Sequence, residues 1–269
     1  MVSTNLSCFF LLTVLLQSGA LHAEAEPAIT IIIDDMGYQE EQGVAALELK
    51  GAVTYAFLPH TPYAAKLAEK AHGLGKEVML HLPMDAYEGN ALGPGALTLH
   101  MTETQFKQTL SDNLDAVPHV SGLNNHMGSL LTQHPGAMGW MMKALIEERP
   151  GLYFVDSRTT HHTVAQQIAL EYSVPNTRRD VFLDNAASED AIEGQFMLLL
   201  ELARQKGSAV GIGHPYPQTI QVLQRLLNSL ESENIRLISA SAMIELQQRR
   251  NSWQEPSSPL LKVAKSSKQ

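Results

Sequence analysis

The chain has 269 residues, a formal net charge of -9 and a single cysteine, Cys8. This length fits one (β/α) barrel, and the acidic charge argues against nucleic acid as the main partner. Because Cys8 lies in an N-terminal apolar segment that we expect to be removed, the mature chain would have no thiol for a disulfide, a nucleophile or a metal ligand. Any metal ion must therefore bind to His, Asp or Glu.

The two ends of the chain lie outside the predicted domain, which spans 24–246. Residues 9–16 are apolar and small residues follow at 19–23, which is typical of a secretory signal peptide. The apolar stretch is too short to span a bilayer, so we predict cleavage after Ala23 and export to the periplasm, with an uncleaved anchor as the alternative. Residues 247–269 are rich in Lys, Arg, Pro and Ser and predict a basic, disordered tail.

Strands and helices are predicted to alternate within this domain. The run at 29–33 is continuously apolar and β-branched, which is typical of a parallel strand buried on both faces. Further strands are predicted at 53–58, 77–80, 120–123, 152–155, 181–183, 208–212 and 236–238. Helices are predicted at 39–50, 62–73, 102–117, 135–148, 163–172, 188–206 and 218–231, with a long loop at 85–100. The alternation predicts an α/β fold, a single-domain distorted (β/α) barrel of about seven to eight parallel strands.

Most of the predicted strands end in a side chain that can bind metal or transfer a proton. These side chains are Asp34, Asp35, His60, His81, His126, Asp156, Asp184 and His214. Since the carboxyl ends of parallel strands meet at one rim, we expect them to converge. Two adjacent carboxylates repel each other unless a cation or a shared proton neutralises them, so the Asp34 and Asp35 pair predicts a metal site. The neighbouring His161 and His162 are expected to point apart, mostly away from this site.

Three motifs that would indicate other activities are absent from the sequence. It has no G-x-x-x-x-G-K-[ST] loop for nucleotide phosphates, no G-x-S-x-G turn of a serine hydrolase and no H-E-x-x-H helix of a zinc protease. We therefore expect no nucleotide partner and a metal site of another kind.

Four segments resemble the divergent branch of the polysaccharide deacetylase family, whose parent has the NodB-homology fold. They are Ile-Asp-Asp-Met-Gly at 33–37, His-Leu-Pro-Met at 81–84, Asn-Asn-His-Met-Gly-Ser at 124–129 and Phe-Val-Asp-Ser-Arg at 154–158. The segment at 124–129 is the most specific, and the resemblance covers about 28–246. It implies an exported, metal-dependent hydrolase that removes N-acetyl groups from a cell-envelope polysaccharide or a peptidoglycan-type sugar, with zinc as the expected ion and an acetylated glycan as the partner.

The resemblance also implies roles for single residues. In the parent family the first Asp of the strand-1 pair is the general base and the second binds the metal, which assigns Asp34 and Asp35 to these roles. His214 matches the late histidine that acts as general acid.

The resemblance leaves two alternatives for the remaining metal ligands, because the parent family has two histidines four residues apart. Only His81 matches, and the second position is Asp85. Either Asp85 replaces the missing imidazole or His126 supplies it. We favour His126, because Asp35, His81 and His126 would form a two-His, one-carboxylate set with an open position, as catalytic zinc requires.

Five further residues are expected to contact the substrate or to orient the site: Asn124, Asn125, Asp156, Arg158 and Asp184. Asp156 or Asp184 would fix a histidine tautomer, although capping of a loop explains either residue equally well. Two alternative functions stay open from the sequence: an inactive glycan-binding or regulatory envelope protein with a vestigial metal site, or an esterase or amidase that uses the same site.

Overall fold

The structure is a computed structural model that describes residues 26–87, 89 and 91–254. The predicted signal peptide and positions 255–269 of the predicted tail lie outside these residues. The strands are β1 Ala28–Met36, β2 Thr54–Phe57, β3 Glu77–Met84, β4 Val120–Met127, β5 Tyr153–Asp156, β6 Asn176–Arg178, β7 Val181–Phe182, β8 Ser208–Gly213 and β9 Arg236–Leu237. The helices are α1 Glu40–Leu47, α2 Ala64–Gly73, α3 Glu103–Ala116, α4 Pro135–Glu148, α5 Ala165–Glu171, α6 Glu189–Lys206, α7 Pro217–Leu226 and α8 Ala240–Gln254. None of the helices in these ranges is long and apolar enough to cross a membrane.

The sheet is parallel throughout and has the order β6-β5-β4-β3-β2-β1-β8-β7, with β9 added beside β1. Helices connect the successive strands except β6 and β7, and because the strands are parallel their carboxyl ends share one edge. This arrangement confirms the predicted α/β fold and its distorted (β/α) barrel.

One bent segment joins the two edges of the sheet. Its first part, β6, pairs with β5, and its last part, β7, pairs with β8. Only Arg179 and Asp180 separate the two parts, and the backbone N–H of Asp180 donates to the carbonyl of Val210 at 2.8 Å. The sheet therefore curls toward closure. The sequence did not predict β6, because Asn176, Thr177 and Arg178 show no apolar alternation.

The two faces of β1 pack against different layers. Ile29, Ile31 and Ile33 belong to the large core that the outer helices cover, whereas Ile32 belongs to a smaller cluster. Met243 and Ile244 of α8 complete this smaller cluster together with Val210 and Ile212 of β8 and residues of the other strands. Since side chains alternate along a strand, the smaller cluster fills the inside of the curled sheet. Asp34 continues this inner face at the carboxyl end of β1.

Helix α8 closes the amino end of the barrel. The backbone N–H of Ala240 donates to Thr54 Oγ1 at 3.0 Å, and the N–H of Ser241 donates to Glu77 Oε2 at 3.2 Å. Thr54 and Glu77 are the first residues of β2 and β3. The sequence predicted neither this helix nor its length: α8 continues beyond Leu246, where the predicted domain ends, to Gln254.

Strands β3 and β4 are longer than predicted. They were expected to end at Leu80 and Leu123, but their pairing continues from His81 opposite Asn124 to Met84 opposite Met127. The backbone hydrogen bonds between strands form whether the side chains are polar or apolar. Polar residues can therefore continue these strands as far as the barrel mouth, where their side chains lie.

Candidate metal and catalytic site

Asp34 and Asp35 lie on a β-bulge at the carboxyl end of β1. Ile33 pairs with Tyr55 and Met36 with Phe57, so two residues of β1 oppose one residue of β2. Asp35 has a left-handed backbone with a φ of 55°. Neighbouring side chains on a regular strand point to opposite faces, and a bulge can re-aim one of them. Here both carboxylates approach the imidazole of His81, with contacts of 3.7 Å from Asp34 Oδ2 and 3.2 Å from Asp35 Oδ1 to Nε2.

Asp35, His81 and His126 form a group with the spacing of metal ligands. Asp35 Oδ1 lies 3.2 Å from His81 Nε2 and 3.0 Å from His126 Nδ1, and the two imidazole nitrogens are 3.1 Å apart. One ligand atom from each residue lies within 4.8 Å of the other two. Asp35 Oδ1 is buried and has no hydrogen-bond partner, although both imidazoles face it. A divalent cation bound by all three atoms would satisfy this oxygen, so the donor set fits a metal.

The electrostatics of Asp35 suit a metal ligand. Burial alone would raise the pKa of its carboxyl group, but the facing imidazoles of His126 and His81 outweigh burial and hold the pKa well below its usual range. Asp35 is therefore ionised at neutral pH.

The alternative ligand, Asp85, has another role in the structure. Its Oδ2 accepts a hydrogen bond from the backbone N–H of Leu99 at 3.3 Å, and its backbone carbonyl accepts hydrogen bonds from Leu130 and Leu131. Asp85 is not part of the three-residue group. The geometry favours His126 over Asp85 as the third ligand, and the assignment stays a prediction.

Asn124 links the predicted general base to the metal group. Its Nδ2 donates to Asp34 Oδ1 at 2.8 Å, and its Oδ1 lies 2.8 Å from His81 Nδ1. Because the Asn124 oxygen can only accept, His81 donates from Nδ1, so its Nε2, which faces Asp35, is the nitrogen that can offer a lone pair to a cation when the imidazole is neutral. Burial raises the pKa of Asp34, despite the opposing effects of His81, His214 and Asn124, so this carboxylate is a stronger base than an exposed one.

His214 and Asp184 form a hydrogen-bonded pair beside the metal group. His214 Nδ1 lies 2.9 Å from Asp184 Oδ1, and Asp184 Oδ2 accepts from the backbone N–H of His214 at 2.6 Å and from Thr219 Oγ1 at 2.7 Å. The second ring nitrogen, Nε2, is 3.8 Å from Asp35 Oδ2. Burial alone would lower the pKa of His214, but Asp184 and Asp35 raise it to about 9. His214 therefore carries a proton at neutral pH.

A cavity of about 290 Å³ opens beside these groups. It is lined by Asp34, His81, Asn125, His126, Met127, Ser157, Arg158, Thr159, Arg179, Phe182, Ile212 and His214. A larger cavity of about 750 Å³, near Lys50 and Leu237, contains none of these side chains. The smaller cavity is the candidate substrate site, because it joins the proposed base, acid and metal ligands.

Two of the predicted supporting residues hold the loop after β5. Asn125 Oδ1 accepts from the N–H of Ser157 at 2.8 Å, and Asp156 Oδ1 accepts from the N–H of Arg158 at 2.8 Å. Thr163 Oγ1 donates to the other oxygen of Asp156 at 2.9 Å. Of the two carboxylates proposed to fix a tautomer, Asp184 contacts a histidine and Asp156 caps a loop.

Three other histidines lie outside the lining of this cavity. His60 Nε2 lies 3.0 Å from Asn113 Oδ1. His161 and His162 are exposed, and the expectation that they point apart was wrong, because their rings contact each other with centroids 3.8 Å apart. The expectation that side chains at the strand ends converge at one rim is therefore correct for His81, His126 and His214, but not for His60.

Sequence reasoning missed Arg179, which lies between β6 and β7. Its Nε donates to the carbonyl of Ser157 at 2.6 Å and its Nη2 to that of Arg158 at 2.8 Å, and its guanidinium lies 5.0 Å from the centre of the Phe182 ring. Burial lowers the pKa of Arg179, Asp34 raises it, and the nearby charge of Arg158 lowers it further. The sequence signal was a charged Arg-Arg-Asp run directly before a strand, which also describes an ordinary solvated turn.

Comparison with known proteins identifies the family. Residues 31–244 match the divergent polysaccharide deacetylase family. The chain belongs to this family, which confirms the resemblance found in the sequence.

Two relatives support the assignment. An Escherichia coli protein, the uncharacterized protein YibQ, is 37% identical over 233 residues, which cover 85% of this chain and 72% of the relative. An uncharacterized protein of Haemophilus influenzae is 36% identical over 214 residues, covering 80% of this chain and 75% of the relative.

Solved structures share the fold. An uncharacterized protein of Agrobacterium tumefaciens has a TM-score of 0.76 at 21% identity, with 81% of this chain and 89% of that chain covered. The peptidoglycan deacetylase PdaC of Bacillus subtilis has a TM-score of 0.53 at 12% identity, with 86% and 96% covered.

Proposed function

We propose that this protein is an exported hydrolase that uses a divalent metal ion, such as zinc, to remove N-acetyl groups from a glycan of the cell envelope. The observation that carries the proposal is the set of groups that meet at the barrel mouth. A buried carboxylate, Asp34, approaches His81 of the three-ligand group, and His214, which is paired with Asp184, approaches Asp35 of the same group. The family and the fold similarity to a peptidoglycan deacetylase support the choice of reaction and of substrate.

The chain's own residues supply the proton transfers. A bound divalent ion would polarise the acyl carbonyl and lower the pKa of a water molecule. Asp34 accepts a proton from the attacking water as the new C–O bond forms, and Asn124 holds its carboxylate in place. His214 donates a proton from Nε2 to the amine as the C–N bond breaks, and Asp184 stabilises the charged imidazole before transfer. The products are acetate and a free amine.

Export is part of the proposal and rests on the sequence of residues 1–23. An acetylated envelope glycan would be available to the protein only after the chain has left the cytoplasm. The absence of a cysteine after position 8 agrees with a protein that does not depend on a disulfide there.

Acetate release is the direct test. The chain from residue 24 onward is incubated with N-acetylglucosamine oligomers and with peptidoglycan fragments, with Zn²⁺, Co²⁺ or Mn²⁺ supplied in turn. We expect release with at least one ion and loss of release with a chelator. The matched controls are Asp34→Asn and the exposed Asp112→Asn on α3. Binding of the glycan without release under any condition would contradict the hydrolase and favour a binding protein, and release from O-acetylated sugars alone would favour an esterase.

A further inference from the structure

The cavity beside the metal group has a positively charged wall. Arg158 and Arg179 both line it, together with Asp34 and three histidines. The whole chain is acidic, with a formal net charge of -9, so two arginines in one cavity are not a consequence of composition.

The two arginines have different roles. Arg179 is used within the fold, because two of its nitrogens donate to the carbonyls of Ser157 and Arg158. The guanidinium of Arg158 has no hydrogen bond or ion pair with any side chain in the ranges that the structure describes. The charges of the two groups lie close enough to repel each other, an effect that the nearby carboxylates of Asp34, Asp156 and Asp180 oppose at Arg179. An anion bound by Arg158 would reduce this repulsion further.

The backbone of Arg158 is held in an unfavourable conformation. Its φ is 49°, in the left-handed region that residues other than glycine rarely occupy. Two side chains fix it there: Asp156 Oδ1 accepts from its N–H at 2.8 Å, and Arg179 Nη2 donates to its carbonyl at 2.8 Å. Strain that the surroundings maintain in this way is concentrated at functional sites. Here it places the residue with the unpaired guanidinium on the cavity wall.

We infer that Arg158 binds a carboxylate of the substrate, so that the glycan acted on is an acidic N-acetylated one. This inference rests on the proposed function and specifies its substrate class. A guanidinium binds a carboxylate through two parallel N–H···O bonds, which gives direction as well as attraction. The metal group and Asp34 would then act on the acyl group while Arg158 holds the acidic substituent of the same glycan.

The test compares two N-acetylated oligosaccharides of equal length. One is the peptide-free glycan strand of peptidoglycan, whose alternate sugars carry a lactyl carboxylate, and the other is a neutral N-acetylglucosamine oligomer. We expect the wild-type kcat/KM to be higher for the acidic strand. Since a hydrogen-bonded charge pair is worth about 1.5–3 kcal/mol, Arg158→Gln should lower the ratio of the two kcat/KM values by about tenfold or more. Arg158→Lys should recover only part of the preference, because the ammonium group lacks the planar fork.

The control and a binding measurement make the outcomes distinct. Arg178→Gln changes an exposed arginine at the end of β6, next to Arg179, and should keep the wild-type ratio. Titration calorimetry with the Asp34→Asn protein, whose turnover should be slow, measures the affinity for each oligosaccharide. The same titration with Asp34→Asn combined with Arg158→Gln shows how much of that affinity depends on Arg158. Tighter binding of the acidic strand that depends on Arg158 supports the inference even if nothing is hydrolysed, which would overturn the proposed hydrolase alone. The inference would be overturned if the ratio of the two kcat/KM values were the same in wild type and Arg158→Gln, or if the variant lost the same activity on both substrates. It would also be overturned if a phosphorylated N-acetylglucosamine oligomer, assayed as a third substrate, were the only one preferred.

Discussion

The amide of Asn124 donates a hydrogen bond to Asp34 across the mouth of the barrel, from β4 to β1, with 2.8 Å between Nδ2 and Oδ1. Both side chains are buried, so the amide contributes a donor that water cannot replace. The same amide orients His81 through its oxygen. Asn124 therefore couples the proposed base to a proposed metal ligand.

Replacement of Asn124 by Asp should destabilise the protein in a pH-dependent way. The change removes the donor and places a second carboxylate beside Asp34, so we expect a loss of about 1–3 kcal/mol near pH 8. The loss should shrink as the pH falls, because one proton shared between the two carboxylates removes their repulsion. Urea unfolding at pH 5 and pH 8 measures both effects. Asn185→Asp, at an exposed position, is the control, and equal loss at both pH values would contradict the explanation.

The metal group makes a prediction about affinity. His81→Ala and His126→Ala each remove a proposed ligand, so the affinity for Zn²⁺ should fall by more than about 100-fold. This is more than the loss of a residue that only hydrogen-bonds to a ligand would cost. His60→Ala and Asp85→Ala should bind Zn²⁺ as the wild type does, because their side chains contact Asn113 and the Leu99 backbone instead. Titration calorimetry and metal analysis measure this. Full Zn²⁺ binding by His126→Ala combined with loss in Asp85→Ala would reverse our choice of third ligand.

Asp34→Asn separates the base from the metal ligands. The substitution keeps the shape of the side chain and leaves Asp35, His81 and His126 in place, so Zn²⁺ binding should persist. Turnover should fall by roughly 10² to 10⁴, the usual contribution of a positioned general base. Single-turnover acetate release, with metal content determined on the same sample, tests this. Unchanged turnover would mean that another group accepts the proton.

The His214–Asp184 pair predicts the alkaline limb of the pH profile. The proposed acid must carry a proton, and the pKa of about 9 for His214 depends on Asp184. Asp184→Asn should lower this pKa, so kcat/KM should begin to fall at a lower pH than in the wild type. The same pair affects stability. Because the folded pKa exceeds the unfolded value, its contribution is complete below about pH 6.5 and is lost as the pH rises through about 9. Denaturant unfolding between pH 6 and pH 10 should show this loss in the wild type and less of it in Asp184→Asn.

Helix α8 should be part of the folded domain. Met243 is fully buried in the cluster inside the barrel, so Met243→Ala should reduce the free energy of unfolding by about 2–5 kcal/mol. Gln248→Ala changes an exposed position of the same helix and should have little effect. Thermal and urea unfolding compare the two variants. Equal stability of both would mean that α8 packs less tightly than the structure shows.

The sequence predicted the parts of this protein that depend on local pattern. Apolar β-branched runs identified the buried strands, and the helix predicted to start at 102 is capped there, with a capping box formed by Thr102 and Gln105. The expectation that Asp35, His81 and His126 lie near one another followed from the rule that parallel strands share a carboxyl edge, whereas the choice of these three as ligands came from the family resemblance. The expectation of proximity needed only the strand order along the chain.

The remaining features depend on contacts between distant segments. No pattern in β1 shows that Asp35 adopts a left-handed backbone, because the bulge arises from pairing with β2. The position of α8 depends on Thr54 and Glu77, far away in sequence. Arg179 resembles a surface residue until its hydrogen bonds to the loop after β5 are known. Such features come from tertiary structure, which local propensity does not determine.

The closed amino end of the barrel restricts how a long polymer can approach. Met243 and Ile244 of α8 fill the interior from that side, so the barrel is not a passage through which a chain could be threaded. A polymer can reach Asp34 only from the open mouth, across which a long chain could lie with both of its ends in solvent. Groups in the middle of a long chain are then within reach without a free chain end entering first.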